Sequence, residues 1–267
     1  MKGKRAAGGP QWSAGESREE MIWGRHPVWE ALRGGRPINK IMVASHLKGV
    51  GEILSLARER GIPIQRVDRK ILDKIASGGS HQGLVALVAE KDYAQVQDLL
   101  YLAEAKGEAP LLVVLDHVED PQNLGAIIRS AEAAGAHGVI IPSRRSAGLT
   151  PAVAKASAGA LEYLPIARVN SLPALLRDLK SQGLWIFGAE GKGEEVLYEA
   201  DLTLPLALVF GSEGQGLSPG IRKCCHLLLK IPMRGQMESL NVAAAAAVFL
   251  FEAVRQRYYR RGRAEIG

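Results

Sequence analysis

Three polar stretches in the second half of the sequence each follow an apolar run and contain side chains that could do chemistry. They are DHVEDPQNLGAIIR (116–129), VFGSEGQGLSP (209–219) and IPMRGQMESLN (231–241). An arginine such as Arg129 can hold a phosphate or a carboxylate as a fixed cation, and a glutamate such as Glu213 can bind a cation or a hydroxyl. Because the carboxyl ends of parallel strands meet at one edge of a sheet, we expect the three stretches to converge there.

The first stretch leads from a strand into a helix. Asp120 and Pro121 predict a turn, and Asn123 is suited to cap the helix that follows. Arg129 lies six residues beyond Asn123, about 600° around a helix, so the two side chains do not share one stripe. The neighbours of Arg129 are apolar, and taken alone the stretch favours a snorkelling arginine over a ligand-binding one.

The second stretch has three glycines, Gly211, Gly214 and Gly216, directly after a predicted buried strand. Loops of this kind let the backbone approach a ligand closely. The spacing G-x-x-G-x-G differs from the dinucleotide-binding fingerprint, so NAD binding is disfavoured. For Glu213 the alternative to a ligand role is ordinary solvent exposure. A similar loop, IFGAEGKGEE (186–195), ends another predicted strand.

The third stretch precedes a run of alanines, which predicts a helix from about Ser239 to Arg257. Ser239 is a suitable N-cap for this helix. A serine cap does not account for Asn241, which has low helix propensity in a first turn otherwise built from alanine. Alanines on all faces indicate close packing on several sides, either within the fold or against another subunit.

The alternation of apolar runs and helical patterns predicts an α/β protein of two domains. Residues 21–90 are predicted to form a small α/β domain, with Asp68 at the start of one helix. Residues 91–109 are charged and are predicted to be a linker. Residues 110–258 are predicted to form a doubly wound, mainly parallel sheet, because strands such as LLVVLD (111–116) are continuously apolar.

The composition is ordinary for a globular protein, with 47% hydrophobic and 23% charged residues. No apolar run reaches the roughly 20 residues that span a bilayer, and no apolar segment follows the basic N-terminus. We therefore expect neither a membrane span nor a signal peptide. Cys224 and Cys225 are adjacent and have no accompanying ligand pair, which predicts reduced thiols in a cytoplasmic protein and no metal site.

The basic residues are unevenly placed. The net charge is +6, and RQRYYRRGR (255–263) holds five arginines. A basic surface favours an anionic partner, most often nucleic acid, although a solvated terminus is an equal alternative for this segment. Residues 1–20 have no hydrophobic periodicity and are predicted to be a disordered tail, and residues 259–267 are predicted to be a basic tail.

In this order, the three stretches resemble the motifs of the SpoU/TrmH family of RNA ribose 2′-O-methyltransferases, within the SPOUT class. The resemblance covers about residues 21–258. It rests on Asn123 and Arg129 at their spacing, on FGSEGQG (210–216), on IPMRGQMESLNVA (231–243), and on KASAGALE (155–162). The first domain, through IWGRHPVWEAL (22–32) and SHQGLVALV (80–88), resembles the RNA-substrate-binding domain of members that modify 23S ribosomal RNA.

The resemblance implies a deep trefoil knot made by the loops near 211–216 and 231–240, with S-adenosylmethionine bound within it. The implied cofactor-binding residues are Gly211, Gly216, Ile231, Met233 and Leu240. The implied catalytic residues are Asn123, Arg129, Glu213, Ser239 and Asn241. No metal is implied. A protonated guanidinium has no acceptor and a pKa above about 12, so we favour phosphate binding and charge stabilisation for Arg129 and leave a general-base role open.

The resemblance also implies partners and a substrate. It implies a cytoplasmic homodimer that methylates a guanosine of 23S ribosomal RNA. For an RNA substrate, the excess of basic residues makes Arg144, Arg145 and residues 255–263 candidate RNA contacts. One alternative is a transfer RNA methyltransferase with the same motifs. Another is a non-catalytic RNA-binding protein of ribosome assembly, against which the intact set of catalytic residues argues. A nucleotide-dependent oxidoreductase is disfavoured by the glycine spacing.

Overall fold

The computed structural model describes residues 19–76, 79–89 and 91–259 and confirms an α/β fold with two sheets. The predicted disordered tail falls mainly on residues 1–18, which lie outside the described residues. Most of the predicted basic tail, from residue 260 onward, lies outside them as well. Among the described residues, no helix is long and apolar enough to span a bilayer.

The N-terminal domain is a four-stranded sheet with order β1-β4-β2-β3. Its β2–β3 pair is parallel and its other two pairs are antiparallel. Asp68 accepts a hydrogen bond from the backbone N–H of Lys70, which confirms it as a helix cap. The elements are β1 Glu19–Trp23, α1 Arg25–Arg33, β2 Ile38–Ala44, α2 Gly51–Glu59, β3 Ile64–Val67, α3 Arg69–Ile75 and β4 Leu84–Ala89.

The C-terminal domain is a seven-stranded sheet with order β7-β6-β5-β10-β8-β11-β9, in which each described neighbouring pair is parallel. The strands are β5 Leu111–Leu115, β6 Gly138–Pro142, β7 Ile166–Val169, β8 Trp185–Ala189, β9 Glu195–Val196, β10 Leu206–Phe210 and β11 Leu227–Lys230. The central β5 and β10 are buried throughout, as their continuous apolar sequences require.

Helices cover both faces of this sheet, and two short turns complete the domain. The helices are α4 Val96–Lys106, α5 Pro121–Ala133, α6 Pro151–Ala156, α7 Leu172–Ser181, α8 Pro219–Arg222 and α9 Val242–Val254. A 3-10 turn spans Ala160–Glu162, and a π turn spans Arg255–Tyr259. The sequence did not predict β1, β9, α4 or α8 as separate elements.

The segment predicted to be a linker, 91–109, contains α4. Leu99 and Ala103 of this helix are fully buried. A Cβ atom at Gly138 would lie 2.3 Å from Cγ of Leu99, so glycine lets α4 lie directly against β6. The segment therefore contributes to the core of the C-terminal domain, because Leu99 and Ala103 are buried while the charged residues of α4 are exposed.

The first residues of α5 and α9 differ from the sequence predictions. Asp120, and not Asn123, caps α5, with its carboxylate accepting from the backbone N–H groups of Gln122 and Asn123. Asn241, and not Ser239, caps α9, which begins at Val242. Both differences have the same cause. The capping residue stands directly before the first helical residue, and the backbone begins each helix at a different residue from the one predicted.

Buried polar contacts join the two domains. Arg36 donates to Glu20 at 2.5 Å and to Glu162 at 3.1 Å, and all three side chains are largely buried. The hydroxyl of Tyr163 donates to the carboxylate of Glu30, which raises the pKa of Tyr163. The 3-10 turn and α1 are thereby held together.

Arg257 fixes the π turn after α9 to the segments that lead into β5 and β10. Its guanidinium donates to the carbonyl oxygens of Ala109, Pro110, Leu202 and Leu204 at 2.6, 3.1, 3.0 and 2.7 Å. The side chain is thus used in the fold, and contact of residues 255–263 with RNA stays a prediction.

We expect Arg257→Ala to lower the free energy of unfolding by about 2–4 kcal/mol, because four partly buried carbonyl groups lose their donor. The midpoint of urea unfolding, at an unchanged m value, measures this loss. The matched control is Arg177→Ala, since Arg177 is exposed on α7 and should change stability by less than about 0.5 kcal/mol. Equal effects of the two changes would contradict a structural role for Arg257.

His137 should make the stability depend on pH. Its buried ring accepts from the N–H of Leu111 through Nδ1 at 3.0 Å and donates from Nε2 to Glu108 at 3.1 Å. Burial, with Lys106 next, lowers the pKa of His137, so the folded state binds a proton less readily than the unfolded chain. This stabilisation is present above the unfolded pKa of about 6.5 and is lost as the pH falls through it.

The free energy of unfolding should therefore fall between pH 7.5 and pH 5.5 by a larger amount in the wild type than in His137→Gln. Urea unfolding at both pH values measures the difference. His46 is exposed, and His46→Gln should keep the wild-type dependence on pH. A His137→Gln protein with the wild-type dependence would show that this ring is not the titrating group.

Candidate active site

The structure brings three of the five predicted catalytic residues into one hydrogen-bonded cluster. Nδ2 of Asn241 donates to Oδ1 of Asn123 at 2.9 Å and to Oε2 of Glu213 at 3.1 Å. Nδ2 of Asn123 donates to the same carboxylate oxygen at 3.3 Å. We call Asn123, Glu213 and Asn241 the polar triad.

Each member of the polar triad is placed by the start of a helix or the end of a strand. Asn123 is in the first turn of α5, just after the Asp120 cap. Glu213 lies in the glycine loop that follows β10. Asn241 caps α9, and its Oδ1 accepts from the N–H groups of Ala243 and Ala244 at 3.0 and 3.3 Å.

These bonds fix the direction of every amide in the cluster. Because Oδ1 of Asn241 is occupied by backbone donors, its NH2 group must face Asn123 and Glu213. Asn123 then accepts through its oxygen and presents its own NH2 group to the carboxylate. Glu213 is an acceptor in both contacts, which suits an ionised carboxylate placed to accept a hydrogen bond from a ligand hydroxyl.

Arg129 and Ser239 are not part of this cluster. Arg129 is exposed on α5 and makes no hydrogen bond or ion pair with the residues that the structure describes. Ser239 is exposed in the segment before the α9 cap. The predicted separation of Arg129 from Asn123 around the helix is therefore observed.

The predicted cofactor residues follow β10 and β11. A Cβ at Gly211 would lie 2.1 Å from the carbonyl carbon and oxygen of Gly216, so only glycine permits this contact. Gly216 has φ +67° and donates to the carbonyl oxygen of Ser212 at 2.9 Å. Ile231 and Met233 are partly buried and Leu240 is exposed. Backbone groups of a glycine loop, together with the apolar side chains that follow β11, suit an adenosine group, whose base is flat and apolar on its faces.

Sequence reasoning missed two carboxylates near this loop. Glu190, in the similar loop after β8, has Oε1 and Oε2 3.4 Å from where a Cβ on Gly216 would lie. Nη2 of Arg222 is 2.9 Å from Oε2 of Glu190, close enough for an ion pair although not aligned as a hydrogen bond. The likeness of the two glycine loops was the only signal in the sequence that could have pointed to Glu190.

Asp116 is the second missed carboxylate. It is buried, accepts from the N–H of Ser218 at 2.8 Å, and pairs with Nδ1 of His117 at 2.8 Å. It therefore joins the loop after β5 to the loop after β10. In the sequence, the position of Asp116 at the end of a fully apolar strand could have indicated that it belongs to the site.

The predictions for RNA contacts, metal binding and the cysteines can also be compared with the structure. Arg144 and Arg145 are exposed in the loop after β6. Among the described residues, no group of His, Cys, Asp and Glu could hold a metal ion. Cys224 and Cys225 are free thiols, and burial, followed by the neighbouring Cys224, raises the pKa of Cys225 to about 12. Such a thiol is a poor nucleophile at neutral pH.

Comparison with known proteins identifies the two halves of the chain. The profile of the SpoU rRNA Methylase family matches residues 110–251. The profile described as RNA 2'-O ribose methyltransferase substrate binding matches residues 21–94. YacO of Bacillus subtilis, assigned to the TrmH family of tRNA/rRNA methyltransferases, is 43% identical over 242 residues, which are 90% of this chain and 97% of YacO.

Solved structures agree with these matches. The SpoU methyltransferase AviRb from Streptomyces viridochromogenes, in complex with AdoMet, has a TM-score of 0.77 and 29% identity over 90% of each chain. The AdoMet-bound rRNA methyltransferase from Sinorhizobium meliloti has a TM-score of 0.73 and 28% identity over 89% of this chain and 87% of its own. A structure concerned with 2-OH methylation of C/U34 on tRNA covers 55% of this chain and 96% of its own, with a TM-score of 0.51 and 33% identity.

Neither matched profile belongs to an oxidoreductase, and the family and its cofactor agree with the resemblance of the motifs. The chain belongs to the SpoU family of S-adenosylmethionine-dependent RNA ribose 2′-O-methyltransferases.

Proposed function

We propose that this protein is a cytoplasmic homodimer that methylates the ribose 2′-oxygen of a guanosine in 23S ribosomal RNA. The observation that carries the choice of ribosomal RNA is the extent of the structural likeness. The AdoMet-bound rRNA methyltransferase matches both domains, whereas the tRNA-related structure covers little more than half of this chain. This difference in coverage supports the proposal of a ribosomal substrate.

The polar triad is proposed to hold the reacting ribose. Glu213 offers carboxylate oxygens whose direction is set by both asparagines, so it can accept a hydrogen bond from the 2′-hydroxyl. A hydroxyl is a poor nucleophile until its proton is at least partly withdrawn. Ser239, in the exposed segment ahead of Asn241, is proposed to add a second hydrogen bond to the sugar.

S-adenosylmethionine, when bound, supplies a methyl group on a sulfonium leaving group. Gly211, Gly216, Ile231, Met233 and Leu240 are proposed to hold its adenosine. A Cβ at Gly191 would lie 3.7 Å from the carbonyl oxygen of Glu238, which supports close packing of the loop after β8 against the loop before α9. We infer from this packing and from the family that the loops form the trefoil knot.

A homodimer is proposed because α9 presents an uncovered apolar stripe. Ala244 and Phe251 are exposed and Ala247 is partly exposed on this helix, at the i, i+3 and i+7 spacing of one face. Phe251 is 49% exposed, and Leu240 and Met237 just before the helix are 39% and 73% exposed. A contiguous apolar surface of this kind is typical of an interface between proteins.

Arg129 is proposed to act across that interface. It lies on α5, which packs against α9, but it faces away from Asn123 of its own chain. Its exposed guanidinium can therefore reach a phosphate or the developing negative charge at the site of the partner subunit. Arg144 and Arg145 are proposed to contact the RNA, and binding of RNA through basic residues should make the affinity fall steeply with salt.

The substrate proposal is tested by methyl transfer from labelled S-adenosylmethionine to unmodified 23S ribosomal RNA, followed by mapping of the methylated ribose. We expect label at one guanosine in the wild type, and a rate at least about 100-fold lower for Arg129→Ala because charge stabilisation is lost. Arg177→Ala is the matched control and should keep the wild-type rate. Label on transfer RNA alone would contradict the ribosomal substrate, and RNA binding without label on any RNA would favour a non-catalytic binder.

Mixing two impaired homodimers tests the action of Arg129 across the interface. After subunit exchange, Arg129→Ala and Asn241→Ala chains should give heterodimers in which one of two sites is intact. Random pairing makes half of the dimers mixed, so about a quarter of the wild-type methyl transfer should return. A mixture that exchanges subunits, by mass spectrometry, yet recovers no activity would place Arg129 in the site of its own chain.

A further inference from the structure

A cavity of about 650 Å³ lies beside the polar triad, and Asn123 and Glu213 form part of its wall. Its other polar lining side chains include His117, Glu119 and Arg145. Its apolar lining is Val118, Leu217, Pro219 and Val242. The volume is in the range of about 300–1,000 Å³ that is usual for small-molecule sites, and the lining combines apolar walls with a few polar groups.

The cavity lies at the point of the sheet where a ligand is expected. Strands β5 and β10 are neighbours, but the chain leaves β5 toward β6 on one side and leaves β10 toward β11 on the other. Loops that diverge in this way open a crevice at the carboxyl ends of the strands. The proposed cofactor residues follow β10 and β11, and one of them, Gly216, also lines the cavity. The cavity therefore adjoins both the polar triad and the proposed cofactor site.

Two residues of the cavity wall have a backbone conformation that side chains rarely adopt. His117 has φ +61° and Arg145 has φ +55°, and they are two of the four described non-glycine residues with positive φ. Strained residues of this kind concentrate at ligand sites, because the surrounding structure must hold them there. Asp116 holds His117 in this conformation, because its carboxylate pairs with Nδ1 of the His117 ring at 2.8 Å. Nε2 of the ring is left for another partner.

Four charged residues of the wall are exposed, and Asp120 and Glu213 among them already accept hydrogen bonds. The other two, Glu119 and Arg145, make no hydrogen bond or ion pair with the described residues. Together they offer acceptor oxygens and guanidinium donors beside an apolar slot. A guanine base needs this set, because N1–H and the 2-amino group are adjacent donors and O6 is an acceptor. Adenine, cytosine and uracil do not present two adjacent donors, so they match it less well.

We propose that this cavity receives the guanine base of the nucleotide being methylated, with Glu119 accepting from N1–H and the 2-amino group and Arg145 donating to O6. The proposal rests on the proposed function. The ribose at the polar triad and the base in the cavity belong to one nucleotide that is turned out of its RNA stack. His117 and the apolar side chains form the walls on either side of the base.

The test uses the full-length protein and fragments of 23S ribosomal RNA that carry either guanosine or inosine at the mapped nucleotide. Inosine lacks only the 2-amino group. Single-turnover methyl transfer by the wild type should be about 10- to 100-fold slower on inosine, as for loss of a hydrogen bond to a charged group. On guanosine RNA, methyl transfer by Glu119→Gln should be slower than that by the wild type by a similar factor. On inosine RNA, Glu119→Gln should be only slightly slower than the wild type.

Arg145→Gln should slow methylation of both RNAs, since O6 is present in each, and Arg177→Gln is its matched control. Arg177 is exposed on α7 and does not line the cavity. Arg177→Gln should therefore keep the wild-type rates on both RNAs. Calorimetric binding of S-adenosylmethionine should be unchanged within about 2-fold in every variant, which excludes loss of the fold as the cause.

Three results would overturn the base pocket while leaving the methyltransferase in place. They are a mapped nucleotide other than guanosine, equal wild-type rates on guanosine and inosine, and equal slowing of Glu119→Gln on both RNAs. The absence of label on any RNA with the wild type is a different failure, since it would overturn the proposed function itself.

Discussion

The side-chain amide of Asn241 is the interaction on which the site depends. Its oxygen accepts from two backbone N–H groups at the start of α9, and its nitrogen donates to Asn123 and Glu213. Serine, threonine and aspartate can also cap a helix. None of them can cap and donate two hydrogen bonds at once, and an aspartate would place a second negative charge beside Glu213. The requirement for asparagine therefore comes from the site as much as from the helix.

Close backbone contacts bring the other groups to Asn241. Gly211 touches Gly216 so closely that any side chain there would displace the loop that carries Glu213. Asp116 joins that loop to the one before α5. A third contact acts between the domains, where a Cβ on Gly159 would lie 2.2 Å from Cγ of Glu30. The KASAGALE segment, which lies between the first two motifs in sequence, thus serves to dock the RNA-binding domain on the catalytic one.

The sequence allowed the described strands other than β1 and β9 to be predicted, together with the members of the polar triad, because buried parallel strands are continuously apolar and their ends are polar. It misplaced both helix caps, since Ser239 and Asn123 are good caps by residue type and only the backbone decides which residue precedes the helix. It also missed the burial of α4 and the use of Arg257 as a structural donor. Both depend on contacts with distant segments, such as Gly138 and Leu204, which no local pattern reveals.

The polar triad also brings the N-termini of two helices close to Glu213. Helices α5 and α9 each have 13 residues, and the first turns of both approach Glu213 through Asn123 and Asn241. The N-terminus of a helix carries a partial positive charge of about half a unit, which favours an anion beside it. Two such ends place partial positive charge beside the carboxylate of Glu213. The same field would stabilise negative charge that develops on a ribose oxygen placed against Glu213, and it would do so with groups that need not move during the reaction.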